Sequence, residues 1–313
     1  MEQTDVKINL LDHVESKISQ GRFSEALSTL YDGLSNIRQH SSTEDWKQFV
    51  TQYRQHPVSH FFLQEPITRR SFERPRGYAG DPIMLDLQYD FEKVIPLPDE
   101  ERQLDISELL NYEINRIGHA SHAVRARRRL LARKIDETSE RVANPYILSL
   151  ACGNLRESLD SFAVKNKSIG KFVAIDQDEE ALAVATETIK DFGETIQASF
   201  VDIIRNKVTL PKFDYIYSLG LYDYLSDKIA KRLTSKLFQL LNPGGRLLIA
   251  NYLPNSNSLG YMEAVMDWWL IYRNNEQMLE LTEQIPKENI NNVDLSIEKN
   301  QVIIFMEIEK ACQ

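Results

Sequence analysis

The chain has 313 residues, 42% hydrophobic and 27% charged, enough for one large domain or a domain with an accessory region. A net charge of −9 excludes a general nucleic-acid binder, whose footprint is basic. Two cysteines, Cys152 and Cys312, are too few for a disulfide framework, no secretory leader is visible in MEQTDVKINLLDHVE, and no stretch nears the ~18 apolar residues of a membrane span, so a cytoplasmic setting is expected.

Residues up to about 64 read as helical. Apolar residues recur at helical spacing over 8–18 and 23–37, broken at Gly21, and again over 46–53 after a cap signal at 41–43. This region is an accessory cap, or a dimerisation or lid element. Over 64–81, Pro66, Pro75, Gly77 and Gly80 predict no regular element. The stretch is nonetheless rich in Arg69, Arg70, Arg74, Arg76, Tyr78 and Asp81, as a solvated linker or an active-site cover would be. A short helix is expected over 82–93, then a break at 96–98. Residues 106–140 read as one long helix or a broken pair, with Asn115, His119, His122 and Arg129 on one side. Arg125, Arg127, Arg128, Arg129 and Arg133 read as a solvated face, the alternative being that one or two hold a carboxylate. His119 and His122 have no third ligand nearby, so no metal is expected.

From 146 onward strands and helices alternate. Strands are expected at 146–150, 172–175, 196–201, 213–217 and 246–250, with helices from 156, over 179–191, 225–241 and 258–283. Asn242-Pro243-Gly244-Gly245 reads as a turn. Two closing strands, 293–297 and 301–308, are joined by Glu298-Lys299-Asn300. The pattern predicts an α/β, Rossmann-like parallel sheet covered on both faces and ending in an antiparallel hairpin.

The strand 146–150 stops at Ala151-Cys152-Gly153 and a helix is expected from Arg156. That geometry presents backbone N–H groups to an anionic or nucleotide-like ligand. Asp176 closes FVAID 23 residues after Gly153, close to the spacing of about 20 at which an acid meets a ribose hydroxyl pair. Asp202 closes SFVD, where a carboxylate accepts from an adenine amino group, whereas Asp214 begins a strand and reads as a turn or cap. The aligned turn A-C-G-N-L-R lacks the G-x-G-x-x-G of a nicotinamide-dependent oxidoreductase.

Residues 145–310 resemble the class I S-adenosylmethionine (SAM)-dependent methyltransferases, through PYILSLACGN, FVAID, FVD, FDYIYSLGLYDYL and LNPGGRLLIANY in family order. The chain departs from the generic pattern at Ser149, Ala151 and Leu155. Those departures, with RPRGYAGD and the arginine-rich helix, are similar to the bacterial methyltransferases of 3-hydroxy fatty acid (3-hydroxypalmitate) methyl ester biosynthesis, which make quorum-sensing factors. The resemblance implies a seven-stranded sheet, SAM as cofactor, and O-methylation of a small, apolar carboxylic acid, free or carrier-bound, to its methyl ester. A hydroxyl or amine of a secondary metabolite is the alternative acceptor, and a non-catalytic SAM-binding protein a further reading.

It implies a division into 1–64 (cap), 65–144 (cover) and 145–313 (SAM-binding domain). Tyr78, Ala151, Gly153, Asn154, Asp176, Gln177, Asp202, Ile203 and Ser218 are expected at the cofactor. Arg74, Arg76, Tyr224, Tyr252, Trp268, Trp269, Tyr272 and Arg273 are expected at the acceptor, with Tyr222 and His119 as catalytic candidates. The stripe YMEAVMDWWLIYR is either core or the wall of an acyl pocket, with Arg273 or an arginine of the 74–78 loop pairing a carboxylate. A carboxylate needs no base, a hydroxyl does, and no base stands out, which favours the acid. A small-molecule acceptor, no nucleic acid, no membrane span and a homodimer complete the expected partners.

Overall fold

The computed structural model describes residues 2–89 and 104–312, with side chains from residue 9 onward. The helix end and break expected at 90–98 lie outside these residues. The chain divides into two compact units, Met1–Arg125 with Asn255–Trp269, and Ala126–Pro254 with Leu270–Gln313. This differs from boundaries at 64 and 144. The reason lies in the first unit, where Asn111 donates to Glu65 at 2.7 Å and Ser107 to the Gln64 carbonyl at 2.9 Å, so the segments either side of residue 64 share one core.

The first unit is helical: Glu2–Ser19, Phe23–His40, Thr43–Gln55, Pro57–Phe62, Pro66–Glu73, Pro82–Tyr89, Ile106–Ile117 and Leu259–Ala264. Leu27, Leu30, Leu34, Phe49 and Phe62 form its apolar centre. Pro66 starts a helix rather than preventing one, because proline lacks only an N–H that the first turn leaves unbonded anyway. The Glu65 carboxylate caps that helix through the amides of Ile67 and Thr68. Gly118 breaks the 106–140 stretch, and His119–Arg141 is a separate helix. Its arginines are not all solvated. Arg127 is buried, Arg128 pairs with Asp160 at 2.7 Å and Arg125 donates to Asn115, while Arg129 and Arg133 are exposed.

The second unit is built on seven strands: β1 Tyr146–Leu150, β2 Lys171–Asp176, β3 Gly193–Gln197, β4 Phe213–Ser218, β5 Leu241–Tyr252, β6 Ile290–Ile297 and β7 Ile303–Lys310. Their order is β3-β2-β1-β4-β5-β7-β6, parallel through β5 and antiparallel from β5 to β7 and from β7 to β6, as expected. The central strands are apolar on both faces, since helices cover both. The order reverses between β1 and β4, which places a crevice at their carboxyl ends.

Four expected elements differ. The third strand ends at Gln197, and Phe200–Ile204 is a short helix, because Ser199 and Asp202 close a capping box. The NPGG segment is an irregularity within β5, with Gly244 at φ 72°, rather than a turn before it. The long helix over 258–283 is two short ones, Leu259–Ala264 and Asn275–Glu280. The chain between them takes Asp267 at φ 51°, outside the helical region. After β1 comes only a 3₁₀ turn, Arg156–Leu159, and the four-residue helix Phe162–Lys165.

Candidate functional site

The bend after β1 alternates into the left-handed region, at Ala151 (φ 55°), Gly153 (φ 52°) and Leu155 (φ 53°). The amides of Cys152, Gly153 and Leu155 are bonded within the chain rather than offered to a ligand, contrary to the expectation. The Cys152 amide donates to the Ile175 carbonyl at 3.1 Å, that of Leu155 to the Cys152 carbonyl at 3.1 Å, and that of Gly153 to Asp176 Oδ2 at 2.8 Å. The bend is therefore tied to the end of β2, and what it presents is the Asp176 carboxylate. Oδ1 of Asp176 accepts the Asp178 amide at 3.0 Å. A carboxylate offers about four lone-pair sites, so with the amides of Gly153, Asp178 and Gln177 on it one site is left for a further donor such as a ribose hydroxyl. Burial pushes the Asp176 carboxyl up, opposed by the amides of Asp178, Gly153 and Gln177. Gln177 is exposed beside it.

A second buried carboxyl, Glu157, stands on the other side of the bend. It accepts the Tyr217 hydroxyl at 2.7 Å, and burial pushes it up as well. Cys152 lies in the field of both acids, and burial first, then Asp176 and Glu157, push its thiol well up. The bend is thus flanked by two acids, and the amides of Cys152, Gly153 and Leu155 are spent. It suits a cationic ligand better than a pyrophosphate, which needs free amides or a helix N-terminus. Sequence reasoning missed Glu157, whose only signal was an acid four residues after the turn glycine.

Several expected cofactor residues have local duties. Asp202 Oδ2 accepts the Ser199 hydroxyl at 2.6 Å and Oδ1 pairs with Lys207 at 2.9 Å, and these partners, Ser199 foremost, hold its carboxyl well below the usual range. It does not end a strand. Ile203 packs in the core of the sheet. Asn154 is buried within the bend, while Ser218, at the end of β4, is fully buried with its hydroxyl unpartnered among the described residues, so a bound group can satisfy it.

Beyond β4, Tyr222 is fully buried, its hydroxyl bonded to Thr234 at 3.0 Å within the apolar core. That removes it as a catalytic candidate. Arg273 is likewise not a clamp for substrate. Its fork donates to the carbonyls of Tyr222 (2.8 Å) and Leu225 (2.6 Å), to Asn251 Oδ1 (2.7 Å) and twice to Asp227 Oδ1 (2.8 and 3.1 Å). All five donors are used in fastening the segment after β4 to the end of β5. Tyr252 is buried, Tyr272 half-buried and Tyr224 exposed.

The remaining expected residues belong to the first unit. Arg74 (φ 50°) pairs with Asp267 at 2.7 Å, which also accepts from Arg54 at 2.5 Å and from the Trp269 indole at 3.0 Å. Trp268 is buried, and Arg76 and Tyr78 are half-buried. His119 is half-buried, its amide donating to the Tyr31 hydroxyl at 3.1 Å. His122 Nε2 contacts the Arg116 carbonyl at 2.8 Å. In the same unit Asp12, Glu15 and His56 bring their polar atoms within 4.8 Å of one another, two of them on the open surface.

Residues 147–245 match the family described as a methyltransferase domain. An uncharacterised protein of Rickettsia prowazekii (strain Madrid E) is 27% identical over 125 residues, covering 38% of this chain and 48% of that protein. The chain thus spans about half the length of the curated relative it matches. A solved structure of a possible exported protein from Bordetella parapertussis covers 88% of this chain and 98% of its own at 17% identity, with a TM-score of 0.57, and shares the fold. The N-methyltransferase NodS from Bradyrhizobium japonicum WM9, solved with S-adenosylhomocysteine, covers 72% of this chain and 99% of its own at 13% identity, with a TM-score of 0.43. The fold is the α/β methyltransferase fold with an added N-terminal helical region. No helix among the described residues is long and apolar enough to cross a membrane.

Proposed function

We propose that the chain is a SAM-dependent methyltransferase acting on a small-molecule acceptor. S-adenosylmethionine is the cofactor, and when bound it supplies a methyl group on a sulfonium and departs as a neutral thioether. The single observation that carries the reading is the bend itself: Asp176 and Glu157 flank it, in a chain whose residues 147–245 match a methyltransferase domain. Asp176 holds the ribose through its remaining lone-pair site, and Ser218 lends its unpaired hydroxyl. Because methyl transfer is an in-line displacement, the protein contributes chiefly alignment and exclusion of water.

A carboxylic acid acceptor, giving a methyl ester as in fatty acid methyl ester biosynthesis, was expected to rest on Arg273 or an arginine of the 74–78 loop, Arg74 or Arg76. All five donors of Arg273 are used by Asp227 and its neighbours, and Arg74 pairs with Asp267 through Nη2. That favours the other acceptor class, a hydroxyl or amine. Calorimetric titration with S-adenosylhomocysteine and NAD in parallel tests the cofactor. Saturable heat from the first alone is expected, and binding of NAD alone would overturn the proposal.

A further inference from the structure

Three buried ionisable side chains gather in the second unit around the carboxyl ends of β1 and β4, where the strand order reverses. Glu157 follows β1, Asp223 follows β4, and Arg127 comes from the helix His119–Arg141; they are 8%, 3% and 6% exposed. Arg127 donates to the Leu219 carbonyl at 2.7 Å, and its charge bears on both acids. Glu157 is committed to Tyr217. Asp223 is not committed in the same way. Its Oδ1 accepts the Tyr252 amide at 2.7 Å, and no second residue donates to its other oxygen among the described residues.

The backbone around Asp223 is fixed on both sides. Its own carbonyl accepts the Ile271 amide at 2.7 Å, and the preceding carbonyl accepts from Arg273. The carboxyl therefore sits astride the ends of β4 and β5, the edge at which open α/β sheets bind ligands. Burial pushes it up to about 7, against the Tyr252 amide and the charges of Arg127 and Arg273, the charged groups that face it. A base poised near the working pH is the most effective one.

We propose that Asp223 is the general base of the transfer and that the acceptor is a hydroxyl compound rather than a carboxylic acid. This rests on the methyltransferase reading and narrows it. An acid is already ionised near neutrality and gives a base nothing to do. In the step, the acceptor oxygen forms its bond to the methyl carbon as the carbon–sulfur bond breaks with its electron pair going to sulfur. The hydroxyl proton passes to Asp223 Oδ2, and from there to solvent after the product leaves.

Difference infrared spectroscopy on the full chain, with S-adenosylhomocysteine bound, compares wild type with Asp223→Asn. A carboxyl band is expected to disappear between about pH 6 and 8 in wild type and to be missing from the variant. A carboxyl that keeps one form across that range overturns the proposal, and this arm needs no acceptor. Turnover is read by product mass with labelled SAM and three probes on one scaffold, 1-naphthol, 1-naphthoic acid and 1-naphthylamine. Methyl ether from the naphthol is expected, with kcat about 100-fold lower in Asp223→Asn and an unchanged Kd for S-adenosylhomocysteine. Methylation of the acid or amine instead, or a variant as fast as wild type, overturns the base assignment alone. Failure of wild type to bind S-adenosylhomocysteine overturns the cofactor reading on which it rests.

Discussion

Cys152 sits at the hinge of the site and is chemically quiet. Its thiol is buried and pushed well up by desolvation and by the acids on either side, so little thiolate exists near neutrality. Cys312 is exposed. Iodoacetamide at pH 8 is expected to label Cys312 while Cys152 stays unmodified over the same time, as peptide mass spectrometry would show. Comparable labelling of both would mean that the bend opens. The two aspartates read from the sequence also part company. Asp202 spends its oxygens on Ser199 and Lys207, whereas Asp176 keeps one lone-pair site in reserve. Asp202→Ala is expected to leave the S-adenosylhomocysteine Kd within about 3-fold of wild type, less than the loss of one charge-assisted hydrogen bond would give. A larger loss in calorimetry would restore it to the adenine.

Among the elements, the segment joining β4 to β5 is held by Arg273. Removing a fully used buried fork strands two carbonyls and Asn251 Oδ1, so Arg273→Met is expected to cost about 3–5 kcal/mol in urea unfolding. Arg273→Lys recovers little of it, because an ammonium cannot reproduce the planar fork. Its burial explains why the sequence misled: YMEAVMDWWLIYR has a helical composition, but Asp267 leaves the helical region and the chain runs on without a helix to fasten Arg273 beneath β5. Within the first unit Gly260 has a plainer task. A Cβ there would meet the Leu34 carbonyl carbon and oxygen at 2.6 Å, and backbone cannot step aside as a side chain can. Gly260→Ala is expected to destabilise by about 1–3 kcal/mol in the same assay, whereas an unchanged midpoint would show that the helices can separate.

For the molecule as a whole, the parallel strands and closing hairpin were legible because buried parallel strands write themselves as apolar runs and a short polar connection announces a hairpin, although that connection is five residues, 298–302, rather than the three expected. The site was half legible. Of the residues in the proposed site, Asp176 was proposed from its spacing, whereas Glu157, Arg127 and Asp223 are set apart only by burial, which one sequence does not display. Those buried acids also shape stability. Asp223, Asp176, Glu157 and Glu65 all have carboxyls pushed up by burial, so their protonated forms favour the fold. Their contribution is fully present below the ordinary carboxylate range and is lost as pH rises, for Asp223 through about 7. The melting temperature is expected to fall from pH 5 to 8, and Asp223→Asn to flatten that decline, which a rising or identical profile would refute.

In the proposed function Asp176 seats the cofactor sugar. The Kd of S-adenosylhomocysteine for Asp176→Ala, measured by calorimetry beside wild type and Asp202→Ala, tests this most directly. Loss of a charge-assisted hydrogen bond of about 1.5–3 kcal/mol predicts a rise of roughly 10- to 100-fold for Asp176→Ala only. An unaltered constant in that variant would contradict it.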